Sequence, residues 1–120
     1  MNTAELIGPP LNWAVAKCEG LKVVKRAEDY AQDFWISRGG DYVRFDFYQP
    51  SSIWAQGGPI IERERIETGY IINGGLSAWR ARPFNGSIVA YGPTPLIAAM
   101  RCYVASKLGD EVKIPKELVG

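Results

Sequence analysis

The chain has 120 residues, a length that suits one domain built around one hydrophobic core. Its 14 basic and 13 acidic side chains give a net charge of +1, which argues against duplex nucleic acid as a partner, because phosphate binding normally needs a basic excess. The chain has no histidine, which excludes Ser-His-Asp and Cys-His catalytic machinery and histidine-ligated metals. We therefore predict no catalytic residues, no metal site and no cofactor.

Targeting and membrane signals are missing from the sequence. The segment Met1–Glu5 lacks the basic start and apolar run of a signal peptide, and no stretch approaches the roughly 20 apolar residues of a membrane span. Cys18 and Cys102 lie far apart without CxxC spacing, so two buried free thiols are favoured over a disulfide. We expect a cytoplasmic protein without membrane contact.

The first predicted element is a helix over residues 11–19. Pro9 and Pro10 suit a helix start, and Gly20 follows directly after the predicted end. One face of this helix is apolar, because four residues recur at helical spacing: Leu11, Ala14, Val15 and Cys18. Core packing explains this pattern.

Extended segments follow the first helix. Residues 21–25 are typical of a strand, and the sequence from there to Gly40 predicts a loop. Tyr42–Tyr48 has the residue types of a strand, with aromatic side chains on both faces, although an ordered loop is the alternative.

A middle helix is predicted over residues 53–65. Pro50-Ser51-Ser52 offers side chains that could cap its start. The run Gly57-Gly58-Pro59 is costly inside a helix, so we expect a break or kink there, or a close approach by another backbone.

A hairpin is predicted around Asn85-Gly86, which stands between the extended runs Ala78–Phe84 and Ser87–Tyr91. Strand alternation turns Trp79 and Ala81 to one face of the sheet. It turns Arg80 and Arg82 to the other, so the two arginines share one face.

The last helix is predicted from Pro95 to Leu108, with Thr94 as its cap and Gly109 as its stop. One apolar stripe, which we expect the sheet to cover, comprises Leu96, Ile97, Met100, Tyr103, Val104 and Leu108. The opposite side is not polar either, since it carries Ala98, Ala99, Cys102, Ala105 and Ser106. Another helix of the chain or a partner subunit could cover that second side.

Together these elements predict a single α+β domain over residues 1–120. A small antiparallel sheet is expected to pack against an N-terminal helix, a kinked middle helix and a long C-terminal helix.

The first candidate ligand-binding segment lies at the start of the middle helix. Trp54 offers an aromatic face for stacking, and Gln56 offers a hydrogen-bond donor and an acceptor. Gly57 and Gly58 would let a ligand approach the backbone closely. A structural kink with Trp54 in the core is the alternative. No lysine stands at phosphate-loop spacing, so the segment is not a Walker loop.

A second candidate is the start of the last helix, where free backbone amides and the helix dipole favour an anion. Thr94 adds a hydroxyl group, and Arg101 adds a positive charge further along. Every helix has such an end, so ordinary capping is the alternative.

A third candidate combines Arg80 and Arg82 with the aromatic residues Trp35, Tyr48 and Trp79. Arginine and aromatic faces suit a nucleotide, through phosphate contacts and base stacking. An ordinary solvated sheet face is the alternative. Asp41 and Asp46 are close in sequence, but nothing marks them as a catalytic pair.

Three stretches together carry a family resemblance: Leu11–Gly20, Trp54–Glu64, and Gly92–Arg101 continuing through Gly109–Val112. In that order they resemble the phage NinX-like family, with a fainter similarity to phage alpha-beta-alpha sandwich domains. The resemblance implies an accessory rather than virion role and a cytoplasmic location in an infected bacterium. It implies no particular activity.

Our leading hypothesis is a non-enzymatic phage accessory protein that sequesters a small nucleotide-like ligand, in the manner of an anti-defence sponge, and forms a homo-oligomer. Such a protein should have a concave site lined by arginine and tryptophan. The first alternative is a protein-interaction module, which should show a flat exposed apolar patch. The second is a small carboxylate-dependent hydrolase, which should place two or more carboxylates in one cleft.

Overall fold

The computed structural model describes residues 1–25, 34–38, 40–73, 75–84 and 86–119. It contains four α-helices: α1 (Pro9–Cys18), α2 (Trp54–Glu64), α3 (Pro95–Leu108) and α4 (Lys116–Val119). Its six strands are β1 (Lys22–Lys25), β2 (Phe34–Arg38), β3 (Asp41–Arg44), β4 (Ile66–Asn73), β5 (Leu76–Pro83) and β6 (Ala90–Gly92). The strands form two antiparallel sheets of three, ordered β1-β2-β3 and β4-β5-β6, which confirms the α+β class.

Helix α1 confirms the prediction for residues 11–19, and its two prolines occupy the first helical turn. Gly8 precedes it with a φ of 63°, a conformation that glycine adopts without strain. The apolar face of α1 is fully buried at Leu11, Ala14 and Val15.

The first sheet differs from the prediction between Phe34 and Arg38, which form strand β2 rather than a loop. Residues 26–33 and 39, also assigned to that loop, lie outside the described residues. Strand β3 ends at Arg44, and a turn of 3-10 helix covers Phe45–Phe47, so both alternatives for this segment hold in part. The sheet has its own small core of Phe34, Ile36 and Phe45.

Helix α2 runs without a break from Trp54 to Glu64 with Pro59 inside it, so of the predicted break or kink the break is wrong. The predicted close approach is confirmed at Gly57, where a Cβ would clash with the carbonyl oxygen of Pro50 and the side chain of Leu96. The predicted serine cap is also wrong. Ile53 occupies the cap position, while Ser51 bonds to Asn12 instead.

The second sheet holds β5 between β4 and β6. Sequence analysis did not predict β4. Strands β5 and β6 pair antiparallel, with Ala81 opposite Ala90, but β6 begins only at Ala90, so the predicted strand is wrong for residues 87–89. In this register the next hydrogen-bonded pair would join Ile88 to Pro83. Proline has no backbone N–H to donate to such a pair. Asn85 lies outside the described residues.

The predicted alternation along β5 is confirmed at Ala81, which is buried, and at Arg80 and Arg82, which are exposed on the other face. Beyond Ala81 and Trp79 the β4–β5 hairpin projects from the core, and the molecule measures 50 × 28 × 23 Å.

Helix α3 confirms the predicted boundaries. Oγ1 of Thr94 accepts a hydrogen bond from the N–H of Ile97 (3.1 Å), and Gly109 ends the helix with a φ of 87°. Both sides of α3 are buried: Leu96, Ala98, Ala99, Met100, Cys102, Tyr103 and Val104. The cover comes from α1, α2 and the second sheet of the same chain, so burial of this helix does not require a partner subunit.

The apolar stripe of α3 is not covered by the sheet alone. The Leu96 side chain meets α2 near Gly57, and the Tyr103 hydroxyl group reaches the end of α1 at Cys18 and Glu19. Helix α3 is therefore the central element of the core.

Candidate functional site

The first predicted segment is used mainly for internal contacts. Oε1 of Gln56 accepts from the Gln49 N–H (2.6 Å), and its Nε2 donates to the Phe47 carbonyl oxygen (2.8 Å). These bonds fix the loop before α2. Gly57 is buried, and Trp54 is 56% exposed at the start of α2 rather than in the core.

Arg80 and Arg82 share the outer face of the second sheet, as predicted. Nε of Arg82 lies 3.3 Å from Oε2 of Glu67, its cross-strand neighbour. This exposed ion pair is screened by solvent and contributes little to stability.

Thr94 and Arg101 also make internal contacts. The Thr94 hydroxyl group caps α3. Nε of Arg101 donates to the Leu6 carbonyl oxygen (2.7 Å), and a terminal nitrogen donates to the Tyr91 carbonyl oxygen (2.8 Å). Burial lowers the pKa of Arg101. The guanidinium group thus joins the N-terminal segment and β6 to α3.

The predicted binding residues do not meet in one place. Of three surface cavities formed by described residues, Gln56 lines the first and Arg101 lines the second. Tyr48 lines the first and third cavities, but the described lining of all three includes no other candidate and no tryptophan. A concave site that combines arginine with tryptophan is therefore not formed by these three cavities.

The first cavity, of about 520 Å³, lies between α2 and the first sheet, with Glu19 and Arg63 in its wall. The guanidinium group of Arg63 donates to both carboxylate oxygens of Glu19 (3.1 and 2.5 Å), and the Tyr103 hydroxyl group donates to Oε2 (2.5 Å). Burial raises the pKa of Glu19, but the bonds from Arg63 and Tyr103 outweigh it and hold the pKa below its usual range.

These three residues, which we call the helix clasp, connect the end of α1 to α2 and α3. Nε of Arg63 also donates to Glu64 (2.8 Å). Burial and the bond to Glu19 raise the pKa of Tyr103. Because the charges of Glu19 and Arg63 already compensate each other, the clasp is suited to holding helices together rather than to binding an ion.

The third cavity is the largest of the three, at about 680 Å³. It opens between the start of α1, the loop before α2, and α4. Its walls comprise Ile7, Gly8, Pro9, Asn12, Phe45, Asp46, Tyr48, Gln49, Ser51, Ser52, Ile97, Glu117 and Leu118. Apolar and aromatic walls with a few polar groups are typical of small-molecule sites.

Asn12 places an amide group in the wall of this cavity. Its Oδ1 accepts hydrogen bonds from the backbone N–H (3.2 Å) and the hydroxyl group (2.6 Å) of Ser51. A backbone N–H can only donate, so this contact fixes which end of the amide is oxygen. Nδ2 therefore points away from Ser51.

The two N–H groups of Nδ2 have no acceptor among the described residues, although Asn12 is only 5% exposed. In the described part of the chain, no fully buried side-chain polar atom lacks a partner, so Nδ2 must be accessible. Because Asn12 also lines the third cavity, Nδ2 is the candidate ligand contact there.

Sequence analysis did not select Asn12. The available signal was an asparagine inside a predicted helix, next to the buried Leu11, where this residue type is unfavourable without a specific bond.

The rim of the third cavity is acidic. Asp46 pairs with Arg44 (2.9 Å), and Glu117 pairs with Lys25 (2.6 Å). The hydrogen bond from Lys25 lowers the pKa of Glu117. The described lining contains two carboxylates and neither lysine nor arginine. The hydrolase hypothesis required two or more carboxylates in one cleft, and this cavity has two. Each of them, however, is held in an ion pair.

Other features bear on the remaining hypotheses. Within the described ranges, no three residues among His, Cys, Asp and Glu are grouped so that they could hold a metal ion. No helix in the described part is long and apolar enough to cross a membrane. The projecting β4–β5 hairpin exposes Tyr70 and Ile72, the apolar surface that an interaction module would use.

Comparison with known proteins gives one family match. The family model described as Bacteriophage P22, NinX matches residues 2–107, which confirms the resemblance carried by the three stretches. The match includes Asn12, helices α1 and α2, and α3 up to Lys107, and it ends before α4. No curated protein matches the chain.

Proposed function

Because the chain belongs to the phage P22 NinX family, we propose that it is a non-enzymatic phage accessory protein that binds a small nucleoside-like ligand in its third cavity. It would act inside the infected bacterium by holding the ligand stoichiometrically, as an anti-defence sponge does. The proposal includes no chemical step.

The free amide donors of Asn12 are the observation that carries this proposal. These two N–H groups have no acceptor among the described residues, so an acceptor on a ligand can bond to them without displacing a contact within the protein. An acceptor on the ligand, such as a ring carbonyl oxygen or ring nitrogen, would satisfy Nδ2. Ser51 holds the amide in place before the ligand arrives.

The cavity walls favour a flat ring. Phe45 and Tyr48 provide aromatic surface, and Ile7, Ile97 and Leu118 provide aliphatic surface. A volume of about 680 Å³ falls within the usual range for small-molecule sites. A heterocyclic base with an acceptor edge matches both the walls and the amide.

The rim argues for the base and against the phosphate of a nucleotide. Asp46 and Glu117 each occupy a cation that lies outside the lining, and the described lining itself offers no cation to a phosphate. Ring or amino N–H groups of a base can instead donate to these carboxylates. The ligand proposed here therefore lacks the phosphate contacts that the sequence-based hypothesis assigned to Arg80 and Arg82.

Titration of the folded protein with nucleosides and with their 5′-monophosphates tests this proposal. We expect nucleosides to raise the melting temperature and the monophosphates to do so less. At a hundredfold excess over the dissociation constant the ligand should add about 2.7 kcal/mol of stability. If no nucleoside binds by either calorimetry or thermal shift, the proposal is wrong.

The variant N12D provides the specific control. It keeps the oxygen that Ser51 uses but removes the two N–H donors, so we expect nucleoside binding to be lost. S51A removes the hydroxyl bond and leaves the donors, so it should bind more weakly than wild type but still measurably. W54A and R80A lie outside the cavity and should bind normally. Loss of binding in W54A or R80A together with normal binding in N12D would instead favour the ligand-binding residues predicted from the sequence.

A further inference from the structure

Strand β4 leaves one backbone edge unpaired. It is the end strand of the β4-β5-β6 sheet over eight residues. The N–H of Phe84 donates to the carbonyl oxygen of Arg65 (3.0 Å), which makes residues 65 and 84 a hydrogen-bonded pair in the β4–β5 register. Such pairs alternate in an antiparallel ladder, so the N–H and C=O groups of Thr68, Tyr70 and Ile72 point to the free edge.

The usual protections of an edge strand are absent from β4. Natural edges carry lysine, proline or a bulge, or lie under another segment. β4 has neither lysine nor proline, its only charged residue is Glu67, and it pairs with β5 without a bulge. Among the described residues, no other strand is hydrogen-bonded to this edge.

Apolar side chains stand on the residues that offer the free backbone groups. Tyr70 is 54% exposed and Ile72 is 74% exposed. The Tyr70 ring lies 5.2 Å from the Trp79 ring on β5, so the two form a cross-strand aromatic pair on this face. A partner strand at the edge would cover apolar surface and satisfy backbone groups at once.

We propose that the occupant of this edge is a second copy of the chain, with the two β4 strands antiparallel around a two-fold axis through Tyr70. This register is centred on the free-edge residues, because Thr68 then lies opposite Ile72 of the partner subunit. The two aromatic pairs become one continuous row, and the two sheets become one of six strands.

The charge pattern of β4 allows a second copy to pair in this register without repulsion. In this register Glu67 lies opposite the partner subunit's Asn73, so the two glutamates do not oppose each other. The net charge of +1 gives two copies little overall repulsion. Dimerisation goes beyond ligand binding and does not depend on it, since none of the residues that line the third cavity belongs to β4.

Oxidative cross-linking of Y70C tests the register. A residue on the two-fold axis faces itself, so in a Cys18→Ser background Y70C should form a disulfide-linked dimer. T68C is the matched control on the same face. Its two copies would be about four residues apart along the strands, roughly 13 Å, which is beyond disulfide reach. Efficient linkage of Y70C with little linkage of T68C supports the proposal.

Hydrogen exchange of the unaltered protein provides a second measurement that needs no variant. On concentration, the amides of Thr68, Tyr70 and Ile72 should become protected, and sedimentation should show twice the mass of one chain. I72K should stay monomeric and still bind nucleosides, while N12D should still dimerise. A wild-type chain that stays monomeric at millimolar concentration overturns the proposal, even if a foreign strand binds the edge.

Discussion

At the level of single residues, two adjacent glycines of α2 have different reasons to be glycine. The backbone at Gly57 meets the Pro50 carbonyl oxygen and the Leu96 side chain so closely that a Cβ would clash with both. At Gly58 a Cβ would meet the edge of the Trp54 ring at 4.0 Å, which is an ordinary contact, and no other described residue apart from its chain neighbours. One of these neighbours is Pro59, whose ring disfavours a Cβ on a preceding residue in helical conformation. Gly57 therefore lets α2 pack against α3, while Gly58 has no such packing role.

This contrast predicts unequal effects of two similar substitutions. G57A should destabilise the fold by about 1–3 kcal/mol, because backbone atoms must move to admit a methyl group. G58A should destabilise the fold less than G57A, because the higher helix propensity of alanine offsets the contact between its methyl group and the Pro59 ring. Urea denaturation of both variants measures the difference. Equal destabilisation by the two would contradict the close packing at Gly57.

At the level of elements, the helix clasp joins three helices through one carboxylate. Glu19 stands at the C-terminal end of α1, where a negative charge is unfavourable to the helix dipole. The hydrogen bonds from Arg63 and Tyr103 compensate this cost and depress the pKa of Glu19. The clasp therefore stabilises the packing of α1, α2 and α3 only while Glu19 is ionised.

The clasp predicts a specific loss of stability in acid. Because the folded pKa of Glu19 lies below the unfolded value, its contribution is complete above the unfolded pKa, near 4.5, and is lost as the pH falls through the folded value. E19Q should cost about 2 kcal/mol at pH 7, and its stability should fall less in acid than that of wild type. Parallel pH–stability curves for the two proteins would show that Glu19 does not contribute in this way.

Elements with local signals were the ones that could be predicted from the sequence. Thr94, Pro95 and Gly109 mark the ends of α3 because capping depends on neighbouring residues. β4 was missed, although Asn73 begins an Asn-Gly-Gly run between two strands. The role of Asn12 depends on Ser51, 39 residues away, and such a contact leaves no local pattern.

At the level of the whole molecule, the two sheets have cores of very different size. Among the described residues, the cluster around α3 and the second sheet has fifteen buried residues, whereas the first sheet has three: Phe34, Ile36 and Phe45. Since stability follows buried apolar surface, the first sheet should be the less stable part.

Native-state hydrogen exchange should detect this difference. We expect the amides of β2 to open at lower free energy than those of α3, whose exchange should require global unfolding. A single opening free energy shared by β2 and α3 would mean that the two cores unfold as one unit.

The position of the short helix α4 determines how easily the third cavity could change during evolution. Its Glu117 and Leu118 form part of the wall, and its four residues contribute none of the buried residues of either core. Leu118 packs against the core of the first sheet and Glu117 pairs with Lys25, so we expect substitutions there to change the shape and charge of the cavity at a smaller cost in folding than substitutions in α3. Related phages could therefore diversify what the cavity selects by varying a few residues at one end of the chain, while Asn12 and the central helix stay constant.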